Sequence, residues 1–459
     1  MTSSHLLPWL FPRLLGGVYC LAFASLLSQV MGLYGSHGIL PIRSYLATLR
    51  RQLGTRAWYL CPTLFWINSS DRAMAGGAIA GLGLSLLLMA GAPAVPLLVL
   101  LWLLYLSYAA AGQEFLSFQW DALLLEAGFM TIFLPLTDPA PPLVVLAYRF
   151  FLFRFMLSAG VVKLRSGDPT WRNLTALSYH YETQPIPNRL GWYAHQLPPA
   201  MQKFSTLGTF FFELAVPLLA LGPAPARLAG FLLLLFFQLL ICATGNYGFF
   251  NLLTMVLLVP LLDDRQLGFI GSGPPVAAPV GGETAALLVS CLFVPFLAMN
   301  IYQLVRLIYR PTRLDRLLAP LSPFMITNPY GLFAVMTTNR FEFVIEGSSN
   351  LEEWRPYEFH WKPGDPHRPP RQAAPHQPRL DWQMWFAALD PRTIEPWLGE
   401  LLVRLLEGSP PVLALFRHNP FPDAPPAYLR LTVYRYHFTT LKVRHQEGRW
   451  WERTMLGRY

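Results

Sequence analysis

Ala94–Gly112 reads AVPLLVLLWLLYLSYAAAG, a long apolar run without a single charge. A helix needs about 20 such residues to cross the hydrocarbon core of a bilayer. Comparable runs lie at about 12–34, 74–91, 142–162, 204–222, 226–243 and 284–308. Two weaker ones are 121–137, interrupted by Asp121 and Glu126, and the short 247–262. The count is therefore seven to nine helices. Composition agrees: 53% of the 459 residues are hydrophobic and 13% charged, against about 25% charged in soluble domains. The chain reads as an integral, multi-pass membrane protein in contact with the lipid bilayer. Its first apolar run lacks a small-residue cleavage site, which predicts a retained helix.

The fold expected is mainly α: a polytopic membrane helix bundle with a C-terminal soluble α+β domain rich in strands. Residues 1–308 form the transmembrane bundle, 309–330 a basic linker and 331–459 the soluble domain. Within loop 35–72, Pro41 to Leu53 predicts an amphipathic helix at the interface. Residues 163–203 read as a long polar loop, and 263–283 as a Gly/Pro/Ala-rich linker. In the tail, 341–347 and 427–436 alternate as strands do, and 381–389 and 394–407 read as helices. Trp361 to Gln377 reads as a Pro/His/Arg-rich loop, and Pro420 to Pro426 as a rigid turn. The tail is expected on the membrane's surface, ending soon after the strand 427–437. With nine helices, loops 35–72 and 163–203 and the tail fall on one face. All three are net basic, which tilts that face toward the cytoplasm.

Polar side chains are costly near hydrocarbon, so they mark candidate sites. The densest group is Tyr179, His180, Glu182, Gln184 and Pro185, followed by Trp192 and His195. A second is Glu114, Gln119, Asp121 and Glu126, facing Arg149 and Arg154 of the next helix. If 113–126 is helical, Glu114 and Asp121 share one face. These acids read either as bundle glue paired with the two arginines, or as a substrate or proton path. Lys163 ends its helix as a snorkelling cation, or serves as a base if desolvation lowers its pKa. Thr244-Gly245-Asn246-Tyr247-Gly248 reads as a tight turn or a cavity lining.

Several chemistries find no footing. Cys20, Cys242 and Cys291 lie in apolar runs and Cys61 in a loop, with no CxxC pair. His180 and His195 alone make an incomplete ligand set, so no metal and no cofactor is expected. The net charge of +9 is not gathered into a basic patch with interleaved aromatics, which argues against nucleic acid. GxSxG, HExxH and GxGxxG are absent, and the reading leans away from an enzyme.

Three stretches resemble the lipase maturation factors: QEFLSFQWDALLLEAG at Gln113–Gly128, WRNLTALSYHYETQPIPNRLGWYAHQLP at Trp171–Pro198, and Thr244-Gly245-Asn246-Tyr247. The tail adds Phe343–Gly347, Tyr357-Glu358-Phe359, Lys362-Pro363-Gly364-Asp365 and PHQPRLDWQMWFAAL at Pro375–Leu389. That last motif contains His376, Gln377, Pro378, Arg379, Asp381, Trp382 and Trp385. The resemblance implies a multi-spanning protein of the endoplasmic reticulum membrane, or of the cell membrane in a bacterial relative. It implies a chaperone assisting folding and assembly of secreted lipase-like client proteins. The expected client surface is the loop and tail, with Tyr179, Tyr181, Trp192, Trp382 and Trp385 as aromatic anchors. Ala159–Leu164 followed by Trp171 is also similar to the lysine segment of the vitamin K-dependent gamma-carboxylase superfamily. That second resemblance implies the alternative: a membrane enzyme using Lys163 as base on a lipid, quinone or polypeptide.

Overall fold

The computed structural model describes residues 4–268, 282–309 and 312–459. The helices used below are α1 (Leu6–Leu27), α2 (Ile42–Leu53), α3 (Asp71–Ala90), α4 (Ala94–Ala111), α5 (Gln119–Phe133) and α6 (Pro142–Arg165). They continue with α7 (Ala176–Thr183), α8 (Arg189–His195), α9 (Pro199–Phe210), α10 (Ala224–Thr244), α11 (Phe250–Leu258) and α12 (Gly282–Ile308). The amphipathic α2 stands where expected. Start and stop signals explain the spans: the Ser70 side chain accepts from the Ala73 amide ahead of α3. Gly91 ends it at φ +95°, a conformation that costs glycine little.

Among the described residues, seven helical segments are long and apolar enough to cross a membrane: α1, α3, α4, α6, Pro199–Leu221, α10 and α12. The weaker candidates fold as the 15-residue α5 and the nine-residue α11. Both are largely buried within the bundle and shorter than a spanning helix needs. They still complete the alternation of the chain between the two ends. Near one end, Ser4 pairs with Ala140 and with Asp264, and His5 with Asp138. At the other, the His37 and Gly38 carbonyls, Phe115, Thr183 and Asn246 all bond to the tail. Among the described residues this alternation puts loops 35–72 and 163–203 and the tail at one end.

The tail holds β1 (Arg340–Ser348), β2 (Arg355–Pro356), β3 (Glu358–Phe359), α13 (Arg379–Leu389) and α14 (Pro396–Leu406). It ends with β4 (Phe416–His418), β5 (Tyr428–Phe438), α15 (Leu441–Glu447) and β6 (Trp451–Arg458). An antiparallel sheet runs β2-β1-β5-β6, with Phe343 opposite Val433, and β3 pairs with β4. Alternation along β1 and β5 buries Phe343, Ile345, Leu431 and Val433.

Three expectations are corrected. The segment 163–203 is not an open loop: α7, α8 and the start of α9 occupy it. The tail does not end after the strand at 427–437, because α15 and β6 follow and β6 pairs along β5. The stretch 309–330 is not bare linker, since Thr312–Leu318 is helical. Of the linker expected at 263–283, residues 269–281 lie outside the described residues.

Candidate functional site

The polar motifs meet where bundle and tail join. Ser25 and Gln29, near the end of α1, hold the chain leading into α13. The Gln377 amide donates to Ser25 Oγ (2.9 Å), Gln29 Nε2 donates to the Gln377 carbonyl (2.9 Å), and the Arg379 amide donates to Gln29 Oε1 (2.8 Å). Arg379 then reaches into the bundle. Its guanidinium takes both oxygens of Asp121 (2.8 and 2.9 Å) and the Phe115 carbonyl (2.7 Å). Tyr105 donates to the same carboxylate at 2.5 Å. Arg379 and Asp121 are both essentially sealed from solvent, and a two-pronged guanidinium–carboxylate contact fixes direction as well as distance. The motif Pro375–Leu389 thus sits on the end of the bundle with Arg379 inserted into it.

This overturns part of the expected network. The backbone breaks between Leu116 and Gln119, so Glu114 and Asp121 do not share a helical face. Glu114 is exposed, and its carbonyl rather than its carboxylate is used, by Ser117 and Gln383. The following helix supplies one of the expected partners: Arg154 pairs with Glu126 at 2.5 Å. Glu126 also accepts from the Asn328 amide (2.9 Å) and the Tyr330 hydroxyl (2.7 Å). Arg149 instead turns to the Pro260 carbonyl (2.7 Å) and Asp263 (3.5 Å). Gln119 brackets Gly331 with two bonds of 3.0 Å. Of the pairings expected between these acids and the next helix, Glu126 with Arg154 is present, whereas Asp121 pairs with the tail.

A second clasp holds the sheet to α7. Arg340 of β1 donates to the carbonyls of Glu182 (2.9 Å), Gln184 (2.5 Å) and Pro185 (2.9 Å). Trp385 Nε1 donates to the Thr183 carbonyl (2.8 Å). The Glu182 carboxylate accepts from the Phe438 amide (3.0 Å) and sits near His195 and His437. Trp192 is 0% exposed and packs edge-on against Trp450. The proposed anchors Tyr181, Trp192, Trp382 and Trp385 are all buried in these contacts. Their rings bind the two regions to each other, so they are not free surface; Tyr179 is half-buried.

The Thr244–Gly248 turn is the third clasp. Asn246 donates to the carbonyls of Ile186 (3.2 Å) and Arg371 (2.9 Å) and accepts from the amides of Ala373 (2.7 Å) and Ala374 (3.0 Å). The Tyr247 hydroxyl lies between His180 Nε2 (3.1 Å) and Gln184 Oε1 (3.2 Å). A Cβ on Gly191 would stand 2.6 Å from the Thr244 carbonyl oxygen. Gly191→Ala is therefore expected to force two backbones apart and lower the unfolding temperature in detergent by several degrees, about 1–3 kcal/mol of overpacking.

Beside the clasps lies an apolar cavity of about 480 Å³ between α6, the Pro199–Leu221 span and α10. Lys163 and His180 line it. Lys163 Nζ donates to both oxygens of Glu213 (2.8 Å each) and to the Ala159 carbonyl (3.2 Å), and lies 5.4 Å from the Trp171 ring centroid. The ammonium group thus has three acceptors around it. Glu213 was not singled out from sequence. Its signal was there, as the one acid inside the apolar run 204–222. Among the described residues no three His, Cys, Asp or Glu side chains gather as metal ligands.

Two clasp histidines stay neutral. Burial, aided by Lys163, pulls His180 from the ordinary 6.5 down to about 4. Burial, aided by Arg379, does the same to His376. Between pH 4 and 6.5 the unfolded chain therefore binds protons that the folded chain does not, so stability falls as pH falls through that window. Melting in detergent from pH 7 to 4.5 should show this decline, and His376→Gln should flatten it.

The profile described as "Lipase maturation factor transmembrane domain" matches residues 6–269, and "Lipase maturation factor C-terminal domain" matches residues 326–459. The chain is 35% identical to lipase maturation factor 2 of Mus musculus, across 99% of its own length and 82% of that protein's. Lipase maturation factor 2 of Homo sapiens is 34% identical, across 99% and 82%. Lipase maturation factor 1 of Bos taurus is 35% identical, across 97% and 87%. No solved structure matches. With both halves of the chain matched, and with the motifs that carry the likeness forming the clasps, this multi-pass membrane protein belongs to the lipase maturation factor family.

Proposed function

We propose that the chain is a membrane-embedded maturation factor that helps secreted lipases or related clients fold and assemble. Its place would be the endoplasmic reticulum membrane, or the cell membrane if the source is bacterial. The observation that carries this reading is the 35% identity, over nearly the full chain, to relatives named for lipase maturation. The three clasps support it, because they make α7, α8 and the tail one continuous body at one end of the bundle. A client would meet a surface whose shape is held by Glu182, Gln184, Pro185, Trp192 and Arg379. Contact itself would fall to exposed apolar side chains on that body: Leu190, Tyr193, Leu441, Met455 and Leu456. Exposed apolar groups are the chemistry by which an unfinished fold is recognised.

The test is a photo-reactive residue at Tyr193 and another at Met455 in native membranes. A secreted hydrolase captured at both positions is the expected result. Capture at neither position, with client yield unchanged when the gene is removed, would overturn the reading.

A further inference from the structure

We infer that the cavity beside Lys163 is a binding site for a membrane lipid: a long acyl chain carrying an uncharged, hydrogen-bonding head of the glycerol-ester type. This inference stands apart from the client reading. At about 480 Å³ the cavity has the size of a ligand pocket, for which roughly 300–1,000 Å³ is usual. Most of its wall is aliphatic and aromatic. Its rim includes Phe204, Phe236 and Leu240, exposed side chains of the Pro199–Leu221 span and α10. On spanning helices such side chains face hydrocarbon, so the way in is from the bilayer and the solute waiting there is lipid.

The backbone around the site is built to admit polar groups. Phe211–Ala215 is a π-helical turn, a feature that recurs at functional sites because it re-aims one side chain. Here it carries Glu213 to Lys163. Gly160 lets α6 come close, since a Cβ there would stand 2.6 Å from Leu214. The resulting pair neutralises itself and leaves no net charge for a phosphate or carboxylate. A second polar pair lies deeper. Asn251 and Gln238 are 2% and 4% exposed, both line the cavity, and they spend one hydrogen bond on each other (2.9 Å). That leaves the Gln238 amino group and the Asn251 carbonyl oxygen without a protein partner. A buried donor and acceptor side by side match an ester carbonyl next to a hydroxyl, and unmade they would each carry a desolvation cost.

The experiment uses the full chain in phosphatidylcholine vesicles with a photoreactive diacylglycerol as the probe. Gly208 lines the cavity, and nothing stands within 4 Å of where its Cβ would be. Gly208→Phe therefore fills the space from an open position. Gly83→Phe, on α3 and equally unobstructed, is the control. Labelling of peptides containing Lys163 or Asn251 should fall about tenfold in Gly208→Phe, some 1.4 kcal/mol, and stay level in Gly83→Phe. Asn251→Leu should lower it too, which keeps the test decisive if the plugged variant fails to fold. Equal labelling in all variants, or labelling confined to the outward faces of the two spans, would mean annular lipid only and overturn the inference. A photoreactive phosphatidic acid that labels more strongly than the diacylglycerol would overturn the neutral head.

Discussion

Arg379→Met is expected to unlock the tail from the bundle, with a loss on the order of 3–5 kcal/mol, the cost of breaking a buried ion pair by removing one partner. The guanidinium holds Asp121 through two bonds and the Phe115 carbonyl through a third. Methionine keeps much of the volume and none of the donors, so Asp121 is left without a cation in a sealed site, with Tyr105 as its remaining side-chain partner. Asp121→Asn should cost a similar amount from the other side. The double variant should lose less than the two singles summed, because the second change removes the orphan created by the first. Arg379→Lys should fail to rescue, since a point cation cannot span both oxygens and a carbonyl. Thermal melting in detergent reads the loss. Limited proteolysis within 309–330 reads the unlocking. Single variants within about 1 kcal/mol of the parent would show that the pair is idle.

How much of this was legible in the sequence depends on the range of the interaction. The spans follow from local hydropathy, and α5 and α11 differ because their polar interruptions sit among protein atoms. Strands β1 and β5 followed from alternation. Strand β6 did not: Glu452, Arg453 and Thr454 precede Met455 and Leu456, all five are exposed, and no alternation marks them. The density of polar residues at 179–195 pointed to a place where distant parts of the chain meet. Local sequence reports that His180, Gln184 and Trp192 must find partners. It cannot report that the partners sit about 60 residues on, at Tyr247 and Thr244, or about 250 on, at Phe438 and Trp450. The same limit hid Arg340 and Lys362, which look like ordinary strand and loop cations until the fold brings carbonyls and Glu342 to them.

Glu342→Gln should be as damaging to the tail as the loss of Arg379. Glu342 is fully buried, 2.6 Å from Arg340 and 2.8 Å from Lys362, within ion-pair reach of both though aligned for a hydrogen bond with neither. Both cations are buried as well. Arg340 donates through its two terminal nitrogens to the carbonyls of Glu182, Gln184 and Pro185, and Lys362 donates to the Phe343 (3.1 Å) and Pro363 (3.2 Å) carbonyls. Take away the carboxylate charge and two cations face each other in a region of low dielectric, where repulsion is poorly screened. The expected loss is about 3–5 kcal/mol, and it spreads, because Arg340 is the clasp between sheet and α7. Lys362→Met added to Glu342→Gln removes one of the facing charges and should restore part of the melting temperature. Lys362→Met alone leaves Arg340 and Glu342 as a pair and should cost less than Glu342→Gln. A Glu342→Gln variant that melts with the parent, or a double variant worse than the single, would mean that the charges are balanced by some other group. The ordering of the three variants therefore tests the electrostatics directly, whatever the client turns out to be.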